Sequence, residues 1–176
     1  IESIDVLKGG GPADLRELTL VQAAEMLALG GTVQSVAAGR ARAEQALESG
    51  AALDKFRAIV GAQGGDPDVA DAPERILPQA PIRSVVVAAE EGIVQRVEPR
   101  IIGRAITALG GGRTKVDDVV DPAVGFLVHA RPGMAVRKGE PLATILARDA
   151  SGESAARAAL RRAITLGSAA PSPRAL

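Results

Sequence analysis

The sequence contains no cysteine, tryptophan or tyrosine, and its 176 residues include only two phenylalanines, Phe56 and Phe126. Without cysteine, the chain can form neither a disulfide framework nor a thiolate metal site. With so few aromatic rings it lacks the platforms on which unpaired bases stack, which argues against nucleic acid as a partner. Hydrophobic residues still make up 47% of the chain, so the core must be packed from alanine, valine, leucine and isoleucine.

Long apolar runs and an excess of one charge are also missing. No run approaches the ~18 residues that a bilayer crossing requires, and no stretch is typical of a signal peptide. The 21 acidic residues balance the 21 basic ones, so no net field draws the chain to nucleic acid or to an anionic membrane. The composition is compatible with a reducing cytoplasm, and we expect a cytoplasmic location with no membrane partner.

Residues 1–75 are predicted to be helical, with glycines where the helices end. The chain begins at Ile1 without an initiator methionine, in what is predicted to be the end of a helix, so we expect a fragment of a longer protein. Pro12 is typical of the first turn of the next helix, and Thr32 is predicted to cap a third. The residues predicted to face inward on these helices and on a fourth are Leu20, Ala23, Ala24, Leu27, Val36, Ala43, Leu47, Leu53, Phe56 and Val60.

A proline-rich segment follows the helices. Residues 66–81 contain Pro67, Pro73, Pro78 and Pro81 together with several aspartates, which predicts a linker or an irregular surface crossing. We place a domain boundary near Arg75, which gives two domains, residues 1–75 and residues 76–176.

Beyond this boundary the pattern becomes mixed. Pro99 begins a short helix that ends at three glycines, residues 110–112, and residues 153–166 are predicted to form an amphipathic helix. Segments rich in β-branched residues predict strands, the first two on either side of the Glu91-Gly92 turn, and an extended tail follows from Ser168. The chain is therefore predicted to be α+β, with small half-barrels in its second part. The predicted strands are residues 82–87, 93–97, 124–130, 134–136 and 142–146.

Residues 124–145 form the most informative stretch, a strand–turn–strand–turn–strand pattern. Gly133 and Gly139 would supply the positive φ that its two tight turns require. Biotinyl and lipoyl carrier domains use a similar pattern and carry a modifiable lysine at an exposed hairpin tip after the last strand. Here residues 147–150 contain no lysine and Lys138 lies in the wrong turn, which favours shared architecture without the carrier function.

Other motifs have plainer interpretations. The glycine run before Arg113 follows a helix, whereas a phosphate loop follows a strand and opens a helix, so we interpret it as a connecting loop. His129, the only histidine, lies in a predicted strand without a second ligand, which favours a structural or solvent-facing role. The pairs Glu90-Glu91 and Asp117-Asp118 are expected on exposed loops. No residue of the chain is assigned as catalytic.

Three stretches together resemble the thymidine/pyrimidine-nucleoside phosphorylase family. The first is residues 2–20, with the letters ESIDVLKGGGPADLRELTL, and the second is residues 49–67, which ends in QGGDP. The third is residues 108–144, from the letters ALGGGR through DPAVG to GEPLAT. Their order and spacing match as well, so the resemblance covers nearly the whole chain.

The resemblance implies that residues 1–75 are the helical remainder of a larger α/β domain. It implies that residues 76–176 form an α/β-hammerhead domain, like a barrel-sandwich hybrid, with a terminal helix and tail. The complete protein would be a homodimeric pentosyltransferase of nucleoside metabolism, which cleaves pyrimidine nucleosides with phosphate to free base and (deoxy)ribose 1-phosphate. Thymidine, uridine and nucleotides all stay open as substrates.

The family's phosphate loop, its base-binding arginine and its Ser-x-x-x-Lys motif would all precede residue 1, so we expect the fragment to be inactive alone. We expect no cofactor in it; phosphate is the co-substrate of the complete enzyme. Glu2 matches a family glutamate that helps to hold a structural monovalent cation, whose other ligands would be backbone carbonyls outside this chain.

Residues 110–118 match a family segment near the mouth of the active site. Three glycines predict a mobile loop in which Val116 is the only apolar anchor. Arg113 and Lys115 would attract phosphate there, and a solvated loop without function for these two side chains is the alternative. Two rival functions stay open for the chain as a whole, a lipoyl/biotinyl-like carrier and a stand-alone binding or scaffold module.

Overall fold

The computed structural model describes residues 1–169, which fold into two compact units, Ile1–Leu77 and the residues from Pro78 onward. The first unit is helical, and the second combines small antiparallel sheets with helices. The predicted α+β class is confirmed; the hammerhead assignment stays a prediction. Within this range, none of the helices combines the length with the apolar character needed to cross a bilayer. The extended tail was predicted from Ser168, and the part of it beyond Ala169 lies outside the described residues.

The first unit consists of short helices connected by glycine-containing turns. Pro12 precedes the second helix as its N-cap residue, one position earlier than predicted. Leu20 and Ala24 are buried on that helix, as the apolar spacing predicts. The elements are α1 (Glu2–Leu7), α2 (Ala13–Leu29), α3 (Val36–Glu48), α4 (Ala51–Ala62), a 3-10 helix (Pro67–Ala70) and α5 (Pro73–Ile76).

Two predictions for α3 are wrong. Its cap is Ser35, whose hydroxyl accepts a hydrogen bond from the Ala38 N–H at 3.2 Å, whereas the Thr32 hydroxyl donates to the carbonyl oxygen of Leu27. Val36 was predicted to face inward but is 42% exposed. The buried residue of α3 is Gly39. Glycine is needed there, because a Cβ would lie only 2.5 Å from the carbonyl oxygen of Ala24 on α2.

An ionic bridge accompanies this close approach of α2 and α3. The guanidinium group of Arg40 donates to both carboxylate oxygens of Glu17 on α2, at 2.8 and 2.6 Å, and to Glu44 on its own helix at 3.0 Å. The bidentate geometry orients both partners. The hydrogen bond from Arg40 also holds the pKa of Glu17 below its ordinary value.

The segment predicted to be a linker, residues 66–81, is partly folded. Pro67 and Pro73 each begin a short helix, because a proline at the first helical position loses no intrahelical hydrogen bond. Val69 and Ala70 are buried. The prolines therefore mark helix starts here, in addition to breaking the longer helices.

The second unit contains two three-stranded antiparallel sheets. The central strand of the first sheet is β5, which pairs with β1 and β3. The central strand of the second sheet is β2, which pairs with β4 and β6. The strands are β1 (Ile82–Val87), β2 (Gly92–Val97), β3 (Gly125–Val128), β4 (Ala135–Val136), β5 (Pro141–Ala147) and β6 (Ile164–Gly167).

This pairing departs from the sequence prediction at two points. The β1 and β2 strands flank the Glu91-Gly92 turn but belong to different sheets, and β1 pairs with β5 from Ile82 opposite Ala147 onward. The last helix ends at Ala163, three residues earlier than predicted, because residues from Ile164 onward pair with β2. Strand β6 was not predicted, since its residues continue the apolar spacing of the helix.

Two helices pack with these sheets, α6 (Pro99–Ile106) and α7 (Ala150–Ala163). On α7 the carboxylate of Glu153 accepts hydrogen bonds from the Ser84 hydroxyl at 2.7 Å and from Arg157, which also donates to the carbonyl oxygen of Val85 at 3.1 Å. The hydrogen bond from Ser84, followed by that from Arg157, lowers the pKa of Glu153. The core between these elements includes Val86, Val94, Ala143, Ile145, Ala156, Leu160 and Ile164.

The two turns of the most informative stretch have the predicted backbone conformation. Gly133 has φ +86° and Gly139 has φ +88°, which confirms the positive φ expected of both. The N–H of Gly133 donates to the carbonyl oxygen of Val94, and the N–H of Gly139 donates to that of Ala88. Each turn is thereby joined to a neighbouring segment of the second unit.

Replacing Gly133 or Gly139 with valine tests the need for this conformation. A Cβ would meet no atom within 4 Å at either position, so the cost is the strain of a β-branched residue at positive φ, about 1–3 kcal/mol in the free energy of unfolding. Chemical denaturation of each variant measures it. The control is Gly103→Ala in α6, where a Cβ also meets nothing and helix propensity predicts an unchanged or higher stability. Valine variants as stable as the wild type would show that these turns do not require glycine.

Candidate functional site

The loop between α6 and β3, residues 112–124, carries the two cationic side chains of the predicted site. It follows a π-helical turn, Thr107–Gly111, in which Gly110 has φ +94°. This left-handed conformation reverses the chain at the end of the helix. The N–H of Asp121 then donates to the carbonyl oxygen of Gly110 at 2.8 Å. The α6–β3 loop is thereby closed at its base by a backbone hydrogen bond.

The tip of the α6–β3 loop is organised by Asp118. Its carboxylate accepts hydrogen bonds from the N–H of Thr114 at 2.8 Å, from the Thr114 hydroxyl at 2.6 Å and from the N–H of Lys115 at 2.9 Å. These bonds lower the pKa of Asp118, the hydroxyl of Thr114 contributing most. Val116 is 86% exposed, so the prediction that it anchors the loop is wrong. A carboxylate that binds successive backbone N–H groups takes that role.

The base of the α6–β3 loop is held by an ion pair. The Nε of Arg148 lies 2.5 Å from Oδ2 of Asp121, and its Nη2 lies 2.8 Å from Oδ1. The same carboxylate accepts a hydrogen bond from the N–H of Ala123, and Arg148 reaches the carbonyl oxygen of Gln79 at 3.5 Å. These hydrogen bonds, chiefly those from Arg148, lower the pKa of Asp121 to about 2. Arg148 directly follows β5, so the loop is joined to the end of the central strand.

Arg113 and Lys115 themselves are exposed. Within residues 1–169, neither side chain makes a hydrogen bond or an ion pair, so both charges face solvent. The same loop carries the carboxylates of Asp117 and Asp118, so an attraction for an anion would be local to the side chains of Arg113 and Lys115 and would not come from a net charge of the loop. The expectation that the chain holds no catalytic residue stays a prediction.

Comparisons with known proteins identify the family of this chain. Residues 93–167, which include the whole α6–β3 loop, match the pyrimidine nucleoside phosphorylase C-terminal domain. The chain is 41% identical over 172 residues, 97% of its length, to a thymidine phosphorylase of Burkholderia orbicola, and 40% identical over 146 residues to a pyrimidine-nucleoside phosphorylase of Bacillus subtilis. The chain belongs to the thymidine/pyrimidine-nucleoside phosphorylase family. It spans 39% of the length of the first of these relatives and 34% of the second.

Membership of the phosphorylase family bears on the carrier alternative. Strand β5 ends at Ala147, and α7 begins at Ala150, so a helix stands where a carrier domain would have its lysine-bearing hairpin. Lys138 is exposed in the turn between β4 and β5. Its turn precedes the central strand, as the sequence indicated. The lysine position therefore separates this phosphorylase domain from the carriers that share its turn pattern.

Glu2 is the first residue of α1 and is exposed. Asp5 is the other acidic residue of that turn. Within residues 1–169 there is no group of three or more His, Cys, Asp or Glu side chains that could hold a metal ion. These carboxylates do not by themselves form a cation site, so the assignment of Glu2 as one ligand of a phosphorylase cation stays a prediction.

The position of His129 is explained by a hydrogen bond to a buried hydroxyl. It lies just after β3 and is exposed, and its Nε2 is 3.0 Å from the hydroxyl of Thr144. Thr144 is the buried polar residue of β5, so this contact satisfies a hydroxyl that would otherwise be unpaired in the core. The solvent-facing, structural interpretation of His129 fits this arrangement.

Asp121 and Arg148 are the residues of this site that sequence reasoning did not identify. The Asp121-Pro122 dipeptide is a turn signal, so the end of the loop at this point could have been predicted from the sequence. The partner of Asp121 could not be found in the same way, because 27 residues separate it from Arg148. Only the antiparallel pairing of β3 with β5 brings the two side chains together.

Replacing Asp121 with asparagine tests the ion pair through its pH dependence. The pKa of Asp121 is lowered from 3.8 to about 2 in the folded protein, so its carboxylate stabilises the fold above about pH 4 and this contribution is lost as the pH falls to about 2. We expect D121N to unfold at a lower temperature than the wild type at pH 7, and the gap to narrow between about pH 4 and 2.

Scanning calorimetry from neutral to acidic pH measures this gap. The control is Asp117→Asn, which removes a carboxylate that makes no hydrogen bond within residues 1–169. D117N should follow the wild type at every pH. A gap for D121N that does not change with pH, or one that D117N reproduces, would contradict the assignment.

Proposed function

We propose that this chain is the C-terminal portion of a pyrimidine-nucleoside phosphorylase. The observation that carries the proposal is 41% identity to a thymidine phosphorylase along 97% of the chain. The complete protein transfers the pentose of a pyrimidine nucleoside to phosphate. The C1′–N bond breaks, a C1′–O bond to phosphate forms, and the base leaves with a proton. The products are free base and (deoxy)ribose 1-phosphate.

In this proposal the chain supports the reaction without carrying its chemistry. Phosphorolysis needs fixed donors for both the phosphate and the leaving base, and the described residues offer no cluster that contains both. The α6–β3 loop borders the substrate cleft, where Arg113 and Lys115 raise the local concentration of phosphate. Their exposure and lack of partners within residues 1–169 support this role.

The remaining features of the proposal rest on the family resemblance. The complete enzyme is a cytoplasmic homodimer, and it binds a monovalent cation to which Glu2 contributes one carboxylate. The relatives include both thymidine phosphorylases and pyrimidine-nucleoside phosphorylases, so thymidine and uridine are both substrates to test.

A chimera provides the first test of the proposed function. We expect the chain alone to show no turnover of thymidine or uridine with phosphate. We expect activity when it replaces the corresponding C-terminal 39% of the Burkholderia orbicola thymidine phosphorylase. Release of free base, followed by chromatography, measures both. A relative truncated at the same point serves as the control. Turnover by the purified chain alone, or a folded chimera without activity, would overturn the proposal.

A second test addresses the cations of the α6–β3 loop. In the active chimera, changing Arg113 and Lys115 together to alanine should raise the KM for phosphate about three- to tenfold, since each exposed charge contributes under about 1 kcal/mol. The kcat should stay unchanged, because neither side chain takes part in the chemistry. The effect should shrink at high ionic strength.

The matched control for that test is Arg137→Ala with Lys138→Ala. It removes the same two charges from the exposed turn between β4 and β5, away from the α6–β3 loop. Its KM for phosphate should equal that of the parent. Equal effects from the two double variants would indicate a dependence on net charge only, and no effect from either would remove the role of the loop.

A further inference from the structure

Helices α6 and α7 of the second unit pack against each other and leave a groove along their contact, which we call the α6–α7 groove. It has a volume of about 400 Å³. Ala105, Ala156 and Ala159 are buried at its floor. The half-buried side chains of Ile101 and Leu109 also line it. The groove therefore offers a ligand an aliphatic surface without an aromatic ring.

Two arginines belong to the lining of the α6–α7 groove, Arg104 from α6 and Arg162 from α7. Both are exposed, and within residues 1–169 neither guanidinium group makes a hydrogen bond or an ion pair. A guanidinium group carries five N–H donors and no acceptor, so both side chains keep their full capacity to bind an anion. Each helix thus contributes one unpaired cation to the same apolar groove.

The carboxylates of these two helices are already engaged. Helix α6 contains no acidic residue, and Glu98, which precedes it, is ion-paired with Arg96. The one acidic residue within α7, Glu153, is bound by Arg157, and Asp149 caps that helix by accepting an N–H at 2.7 Å. The whole chain has a net charge of zero, so the positive charge at the groove is a local excess. Such an excess favours an anionic ligand.

The size of the α6–α7 groove favours a small ligand over a protein partner. Small-molecule pockets have volumes of about 300–1,000 Å³, whereas α6, with eight residues, is only about 12 Å long and could supply little of the ~800 Å² that a stable protein interface buries on each side. Without an aromatic ring, the groove gives a nucleobase no surface for stacking.

We propose that the α6–α7 groove binds a small amphiphilic anion. Its alkyl chain lies on the alanine side chains of the floor, and its carboxylate or phosphate head accepts hydrogen bonds from Arg104 and Arg162. Guanidinium groups bind both kinds of head group through paired N–H donors. This ligand is not a substrate of the proposed phosphorylase reaction, so its binding can be tested in the absence of turnover.

Titration calorimetry of the full chain tests the class of ligand, with octanoate and octyl phosphate as probes of the two head groups. We expect one saturable site with a Kd below about 1 mM for at least one of them. Octanol, which has the alkyl chain without the charge, and inorganic phosphate, which has the charge without the chain, should not saturate the protein in that range. Octanol or phosphate binding as tightly as the amphiphiles, or no binding of either amphiphile, would overturn the proposal.

A matched pair of double variants tests the two cations. Arg104→Ala with Arg162→Ala should raise the Kd of the tighter probe about five- to twentyfold, since each exposed charged contact contributes a factor of up to about five. The control, Arg100→Ala with Arg161→Ala, removes the same charges from the same helices at exposed positions that do not line the groove. Its Kd should stay within about twofold of the wild type at physiological ionic strength. Equal losses in the two double variants would show that binding depends on net charge alone, against the proposal.

A second pair tests the place of the alkyl chain. Ala155→Leu adds a side chain inside the α6–α7 groove, whereas Ala158→Leu adds the same side chain at an exposed position of α7 outside it. Alanine and leucine are both strong helix formers, so both variants should keep the helical circular dichroism signal of the wild type. A155L should weaken binding of the tighter probe at least about fivefold by filling the groove, and A158L should leave it unchanged. A probe that binds A155L as tightly as A158L lies elsewhere on the protein, and the proposal is then wrong.

Discussion

The second unit depends on the burial of one strand, β5. This strand pairs on both sides, with β1 and β3, and α7 packs against it. Ala143, Ile145 and Ala147 share one face of the strand and have no exposed surface, and Thr144 on the opposite face is 4% exposed, so both faces are covered. The core of the second unit has one large aromatic ring, the partly buried Phe126. Because the other core side chains are smaller, they fill the interior only if the backbones of neighbouring strands and helices lie close together. The geometry of the loops then follows from where β5 begins and ends.

The candidate site shows this dependence directly. Arg148 follows the last residue of β5, and its guanidinium group holds Asp121 at the base of the α6–β3 loop. The loop tip has its own support in Asp118. Two exposed cations, Arg113 and Lys115, are thus carried on a loop with defined ends, which is a suitable arrangement for attracting an anion without binding it tightly. In the helical unit the exposed feature is apolar instead of charged: side chains of α1, α2, α3 and α4 line a groove of about 400 Å³.

Much of the local structure could be predicted from the sequence, because the signals are local. Strand β1 was predicted with its observed ends, and Gly133 and Gly139 have the positive φ that their turns require. The errors have physical causes as well. Ser35 caps α3 in place of Thr32 because the Thr32 hydroxyl reaches back to α2. Pro67 and Pro73 begin short helices because proline suits a first turn as well as it breaks a later one.

The sequence by itself determined the composition of the core, the α+β class, the turn glycines and the family of this chain. These follow from residue type and from spacing over a few positions. Only the tertiary structure decided that β1 pairs with β5, that residues from Ile164 leave the helix to pair with β2, and that Asp121 binds Arg148. Such contacts join residues that are far apart in the chain, and their free energy comes from burial and hydrogen bonding between elements. A local sequence pattern therefore does not predict this free energy of contact between distant elements.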